Sequence, residues 1–373
     1  MTGGWPALDS PLRRTMPSPR IMVLFNEPVL PPGHPDAASE REILDTVDSV
    51  SRTLRRSGFR VIRFGVGNDL TALADGLQEH CPDAVFNLFE GLSNRPFTES
   101  VVAGMLEWLN VPFTGCPSDT LTLARDKQRT KHMLRGAGLP TAPFFTVEHL
   151  PVPECLLDWP VIVKPANQDA SCGIEQESVV RTQAELNSRI ELMLNLYGGA
   201  VLVEQFVAGR EFLASVVEGA PDQWGRCTPM VLPLAEIVFK DPTLWPVYSY
   251  DAKWAKSSNE YLSTPMDVPV ILPHKQMDEI ADIARRAYCL LGCRDYARVD
   301  LRVTADGRPY ILEVNPNPFI DSIALIAGME AIGSIHSIFI ADLARAALSR
   351  RPPRTASPRK RARTKLPRMQ EAS

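Results

Sequence analysis

The chain predicts a mixed α/β protein of more than one domain, and three observations carry that expectation. Its 373 residues exceed the size at which a single hydrophobic core keeps growing. An apolar run, an amphipathic stretch and a second apolar run succeed one another over 20–64, the order of a βαβ unit with a parallel sheet. Two β-rich runs, 297–303 and 309–315, flank Asp306-Gly307, the signal of an antiparallel hairpin.

Taken in order, residues 1–19 are rich in Pro and Gly and read as an unstructured leader. Arg20 to Asn26 reads as a buried strand. Ala37 to Ser57 reads as a helix with Ile43, Val47, Val50 and Leu54 on one stripe, ended by Gly58. Phe59 to Phe64, Ala84 to Phe89 and Val111 to Thr114 are expected strands, with a helix from Thr98 to Leu109. These make a first domain over 20–117. A second unit, 118–204, opens at Ser118 as an N-cap and includes a helix from Asp126 to Ala137, closed by Gly138 and Pro140. Trp159 to Lys164 is a strand entering the polar loop 165–173, followed by a helix from Gln183 to Asn195 and a strand from Val201 to Val207. The third unit, 205–349, starts with a strand from Glu211 to Glu218. It passes through a Pro- and Tyr-rich stretch after Glu236 and a helix from Lys275 to Leu291, and reaches the hairpin. Residues 350–373 read as a basic, disordered tail. No internal repeat is evident.

Composition narrows the function classes. The 45% hydrophobic content supports large cores. No run approaches a membrane span, and the N-terminus lacks the order of a signal peptide, so a cytoplasmic protein is expected. Seven Cys without a CxxC pair argue against a disulfide framework or a thiolate zinc site. The net charge of −4 hides an asymmetry. From 351 onward, Arg351, Arg354, Arg359, Lys360, Arg361, Arg363, Lys365 and Arg368 face Glu371 alone, a balance of +7 that leaves −11 on the rest. Such a tail suits a weak anionic partner, RNA, lipid or acidic protein, or serves solubility alone.

The hairpin carries the chemistry. A two-residue Asp306-Gly307 turn sets Ala305 opposite Arg308, Asp300 opposite Glu313 and Arg298 opposite Asn315. On the other face Val299, Leu301, Tyr310, Leu312 and Val314 are apolar, which marks the polar face as a site. Two opposed carboxylates repel unless a cation lies between them. Hard oxygen donors, with no Cys or His nearby, point to magnesium, which leaves room for substrate phosphates. A solvated hairpin with diverging charges is the alternative.

Other segments speak less distinctly. Lys164, at a strand end before a small-residue loop, places its ammonium on a phosphate or in solvent. Glu204 and Glu211, on either side of the Ala208-Gly209 turn, suit a nucleoside read at a strand-turn-strand edge, or serve as edge charges against aggregation. The stretch 248–254 reads as an active-site lid or as a packed loop. Glu40, at the start of the first helix, stabilises the helix dipole or faces a ligand ammonium.

In this order the segments resemble the ATP-grasp superfamily, and within it the D-alanine-D-alanine ligase family, over roughly residues 20 to 347. Val85-Phe86-Asn87, Gly104-Met105-Leu106-Glu107 and Val111-Pro112-Phe113-Thr114-Gly115 are similar to the end of the family's first domain. Asp126-Lys127 with Leu134-Arg135-Gly136-Ala137-Gly138-Leu139-Pro140 is similar to the start of its central domain. The resemblance implies an N-terminal Rossmann-like domain followed by two ATP-grasp subdomains clasping ATP. It implies amide-bond formation through an acyl phosphate, with release of ADP and phosphate.

By position, it implies that Lys127 and Lys164 contact ATP phosphates and that the loop at Ser171 and Gly173 closes over them. Glu204 and the backbone at Val207 would read adenine, with Leu312 in the nucleotide-binding set and Glu211 on the ribose. Lys253 would reach the γ-phosphate. Asp300, Glu313 and Asn315 would hold two magnesium ions, with manganese as a substitute. Arg298 would stabilise the oxyanion, and Glu40 would bind the ammonium of the first amino acid. A homodimer is also implied. The chain departs from the family pattern at Phe89 to Pro96, at the single loop serine in Ala170-Ser171, at Trp254, and at Pro316-Asn317-Pro318-Phe319. A non-catalytic ATP-binding module and a tail-driven RNA-binding protein are the competing classes.

Overall fold

A computed structural model describes residues 18–28, 37–92, 95, 97–168, 171–219 and 227–351, with backbone alone over 37–42. Of the expected leader and tail, only Ser18, Pro19, Arg350 and Arg351 are among the described residues.

The N-terminal unit alternates β1 (Arg20–Asn26), α1 (Ala37–Arg56), β2 (Arg60–Val66), α2 (Thr71–His80), β3 (Ala84–Leu88) and α3 (Thr98–Trp108). β1 is central and pairs in parallel with β2 and β3. Successive side chains of a strand point to opposite faces, and β1 obeys this strictly. Ile21, Val23 and Phe25 join the α1 stripe Ile43, Val47, Val50 and Leu54 in one core, whereas Met22 and Leu24 enter another with Leu106 of α3.

Two expectations here are corrected. Val111 to Thr114 is no strand: it makes one parallel bridge, Phe113 with Val85, because Pro112 removes a ladder donor from so short a run. Helix α2 was not expected, although Leu73 and Leu77, both buried and one turn apart, carry its signal.

Two helices, α4 (Ser118–Arg125) and α5 (Lys127–Gly136), lead to the next sheet. Ser118 is not the N-cap; it is the first residue of α4, and its hydroxyl donates to Glu107 at 2.5 Å. Asp126 caps α5, accepting from the Arg129 amide at 3.0 Å.

The central sheet holds β4 (Phe144–Val147), β5 (Val161–Pro165), β6 (Val179–Val180) and β7 (Val201–Gln205), with α6 (Gln183–Tyr197) on one face. Its order is β4-β7-β5-β6, antiparallel throughout.

The C-terminal part contains β8 (Arg210–Glu218), β9 (Pro229–Val231), β10 (Ala235–Ile237), α7 (Tyr250–Trp254), α8 (Asn259–Ser263) and β11 (Met266–Asp267). It continues with α9 (His274–Leu290), β12 (Tyr296–Val303), β13 (Pro309–Pro316), α10 (Ile323–Ala331) and α11 (His336–Ser349). The sheet order is β11-β10-β8-β12-β13, with β9 on β8. β7 and β8 therefore belong to different sheets, so 206–209 is a crossing and not the turn of a hairpin. Gly209 passes so close to the Val303 carbonyl that a Cβ would collide with it.

The hairpin departs from expectation twice, and the departures cancel. The Thr304 amide donates to the Arg308 carbonyl at 3.0 Å and the Gly307 amide to the Thr304 carbonyl at 2.9 Å. The loop thus has three residues, with Gly307 at φ +86°, and Thr304, not Ala305, faces Arg308. A bulge then shifts the register between Asp300 and Leu301. Beyond it, Asp300 opposes Glu313 and Arg298 opposes Asn315 as expected. Leu301 pairs with Ile311, which takes the buried face, while Tyr310 opposes Arg302 and Leu312 is the extra residue.

Arg350, expected to begin a disordered tail, is structural. Its guanidinium forks onto buried Asp295 at 2.7 and 2.8 Å and donates to the Phe113 carbonyl at 2.9 Å. Among the described residues no single helix is long and apolar enough to cross a membrane; α10 and α11 pass only as a pair bent by 100°.

Candidate active site

The central and C-terminal sheets face each other across an open cavity. Lys164 on β5 and Glu204 on β7 line one side. Glu211 on β8, Arg298, Asp300 and Arg302 on β12, and Leu312, Glu313 and Asn315 on β13 line the other. Ser171, Val207, Tyr248 and Lys253 also line it.

Strand geometry presents these groups together. Arg298, Asp300 and Arg302 alternate along β12 and so share one face. On β13 the bulge turns Leu312 out of the apolar core and into the cavity beside Glu313, which no strict alternation allows.

The opposed carboxylates are met by the chain's own cations. Arg298 forks onto Asp300 at 2.6 and 2.8 Å, and the Lys127 ammonium lies 3.5 Å from Glu313. The Asn315 amide donates to Asp300 at 2.9 Å and to Glu313 at 3.3 Å. Burial pushes the Asp300 carboxyl up to about 6 even against Arg298. Glu313 goes the other way: burial raises it, but Lys127, Lys164 and Arg298 outweigh that and hold it at about 2. Burial, and then Arg298, lower the Lys253 ammonium against the pull of Glu313 and Asp300.

Among the described residues no three His, Cys, Asp or Glu side chains gather into a metal cluster. Two carboxylates and an amide oxygen fit a hard dication that keeps other oxygen ligands, the habit of magnesium at phosphate sites. Asp300, Glu313 and Asn315 are the residues that would hold it.

Glu204 is almost wholly buried, and Lys131 and Lys164 both form ion pairs with its carboxylate. Burial raises the Glu204 carboxyl, but the two ammonium groups outweigh it and leave Glu204 below its ordinary range. Lys131 also donates to Thr141 at 2.8 Å, and Thr141 to the Ile311 carbonyl at 3.0 Å, so the floor of the cavity is tied to the hairpin. The loop after β5 docks on the segment preceding α7. Ser171 donates to the Tyr248 carbonyl at 2.9 Å, the Tyr250 amide to the Ile174 carbonyl at 2.9 Å, and the Trp245 amide to the Gln176 side chain at 2.7 Å.

Of the residues singled out in the sequence, eleven line the cavity: Lys164, Ser171, Glu204, Val207, Glu211, Lys253, Arg298, Asp300, Leu312, Glu313 and Asn315. Lys127 stands behind Glu313. Gly173, at φ +72°, is packed against Pro165 and Tyr197 and supports the loop from outside the cavity. Glu40 falls in α1, and its side chain lies outside the described residues. Sequence reasoning missed Lys131 and Arg302. Lys131 had a signal, one helical turn after Lys127 on a buried face; Arg302 had one too, as the third polar residue in the alternation of β12.

Known proteins share this architecture. The structure superposes on the crystal structure of D-alanine-D-alanine ligase from Bacillus anthracis complexed with ATP, with a TM-score of 0.69 at 21% identity, covering 90% of this chain and 99% of that one. The sequence is 32% identical over 300 residues to a protein named D-alanine-D-alanine ligase from Pelotomaculum thermopropionicum, covering 77% of this chain and 86% of the relative. It is 33% identical over 292 residues to the one from Syntrophotalea carbinolica, covering 78% and 86%. A family model described as D-ala D-ala ligase C-terminus matches residues 133–339, more than half of the chain and every cavity-lining strand. By sequence as well as by fold, the chain belongs to the D-alanine-D-alanine ligase family.

Proposed function

We propose that this chain is an ATP-dependent carboxylate-amine ligase that forms a dipeptide-type amide bond. A substrate carboxylate takes the γ-phosphoryl group of ATP, giving an acyl phosphate and ADP; an amine then displaces phosphate. The observation that carries the reading is the cavity itself, where the Lys164 ammonium on one sheet and the Lys253 ammonium on α7 face opposed carboxylates and the Arg298 guanidinium on the other sheet.

In this reading Lys127, Lys164 and Lys253 neutralise the triphosphate, with Ser171 and the Gly173 loop covering it. Glu204, Val207 and Leu312 border the base, and Glu211 accepts from the ribose. Magnesium, as two ions held by Asp300, Glu313 and Asn315 and replaceable by manganese, supplies charge neutralisation at the transferring phosphoryl group when bound. Arg298 meets the charge that builds on oxygen when the amine attacks. Glu40 takes the ammonium of the first amino acid. A cytoplasmic homodimer, and a weak anionic partner for the tail, complete the reading.

A second reading, a ligase for amino acids other than D-alanine, is favoured by one observation. The positions that depart from the family pattern, among them Phe89, Glu90, Asn317, Pro318 and Phe319, line a small separate pocket. In Pro316-Asn317-Pro318 only Asn317 carries a backbone N–H, so that turn offers one donor to a substrate oxygen.

The test is phosphate release from ATP and magnesium with panels of D- and L-amino acids, and mass spectrometry of the products. One coupled mass names both substrates. No release with any pool, alongside ATP binding by calorimetry, identifies a non-catalytic module and sinks the ligase reading. Loss of function on deleting 352–373 alone would point to the tail-driven class.

A further inference from the structure

We infer that Arg302 is a positioning residue that fixes Glu211 for the nucleotide's ribose hydroxyls and ties the segment before α7 to the sheet, an inference that rests on the ligase reading above.

Arg302 sits directly opposite Glu211 in the β12–β8 register and is 3% exposed. Its Nε and Nη2 donate to one oxygen of Glu211, Oε2, at 3.0 and 2.8 Å. Its Nη1 donates to the Val207 carbonyl at 2.9 Å, and Nη2 also to the Pro246 carbonyl. The guanidinium carbon Cζ lies over two aromatic rings, 4.9 Å from the Phe206 ring centre and 5.6 Å from that of Phe239. One side chain thus joins β12, β8, the crossing between the sheets and the segment that leads to α7.

A buried ion pair is a poor way to hold two strands together, since apolar residues of similar volume do so as well or better. What an apolar pair lacks is the ability to commit one carboxylate oxygen and leave the other for a ligand. Glu211 lines the cavity, and both bonds from Arg302 fall on Oε2, so Oε1 is the acceptor for a ribose hydroxyl. A planar fork with fixed donors is required for this, and lysine does not supply one. The contacts to Val207 and Pro246 tie a cavity-lining residue and the segment leading to α7 to the same guanidinium.

The experiment is calorimetric titration of ATP and of 2′,3′-dideoxy-ATP, with magnesium, into the wild type, Arg302→Lys and Arg302→Gln, each variant checked for a cooperative melt. The wild type is expected to bind ATP about tenfold more tightly than the dideoxy nucleotide, the worth of one hydrogen bond to a charged group. In R302K and R302Q that ratio is expected to fall to within about twofold, because the hydroxyl acceptor is no longer held. A merely structural arginine would weaken both nucleotides alike and preserve the ratio. A folded variant that keeps the wild-type ratio overturns the inference. A wild-type ratio near one also overturns it, and leaves the ligase reading standing if amino acids still trigger phosphate release.

Discussion

Glu313 and Asp300 face each other across two strands and yet occupy opposite electrostatic situations. Asp300 is buried behind a single guanidinium, whereas Glu313 sees Lys127, Lys164 and Arg298 together. Glu313 therefore stays ionised to a lower pH than Asp300, and its loss removes a charge that three cations face. Glu313→Gln is expected to lower ATP-dependent phosphate release by about 100-fold or more, with the far-ultraviolet circular dichroism unchanged; an active variant would contradict its role. Buried Glu204 offers a second test. Its folded pKa lies below the ordinary 4.5, so the stabilisation is fully present above that value and is lost as pH falls through the folded one. The wild type should lose melting temperature on acidification below about pH 4.5, and Glu204→Gln should start lower at neutral pH with a flatter profile there. Glu313, Asp300 and Arg298 were legible as residues because alternation and opposed charge are properties of sequence. Spacing alone places Arg302 and Lys131 on the right faces, but their roles were not legible, since a buried cation is understood only when its carboxylate is seen to come from another element.

At the level of elements, the hairpin shows how a correct pairing arises from an incorrect turn. Asp306-Gly307 signals a turn, but a three-residue loop suits the strand twist as well, with glycine in its left-handed position. Only the bulge at Leu312 restores the opposition of Asp300 and Glu313. That bulge also moves Leu312 to the cavity, so Leu312→Ala is expected to raise KM for ATP by about fivefold, as lost apolar contact of about 1 kcal/mol does, while changing stability little. An unchanged KM with a large loss of stability would place Leu312 in the core instead. Strand β1, helix α1 and helix α9 were readable from periodicity within a residue or two. Short strands such as β4 and β6 were not, because two to four residues carry too little periodicity to separate a strand from a loop.

Across the whole molecule, the N-terminal unit and the C-terminal sheet share cores: Met22 and Leu24 pack in one cluster with Phe212 and Val299, and Val47 in another with Phe339 and Ile340. Arg350 locks this junction by joining Asp295 to the Phe113 carbonyl. Arg350→Ala leaves a buried carboxylate without its fork and is expected to cost about 2 to 3 kcal/mol in denaturant melts, less than a fully buried pair because the arginine is partly exposed. A change under about 0.5 kcal/mol would show the junction to rest on packing alone. By itself the sequence determined the βαβ opening, the long helices, the polar face of the hairpin and the order of the family motifs, all of which follow from local periodicity and residue chemistry. Only the tertiary structure decided that β7 and β8 belong to separate sheets, that Lys131 and Lys164 share Glu204, and that Arg302 holds Glu211. Those facts depend on which residues far apart in the chain become neighbours, and desolvation makes their pairing decisive only after the surrounding core has closed.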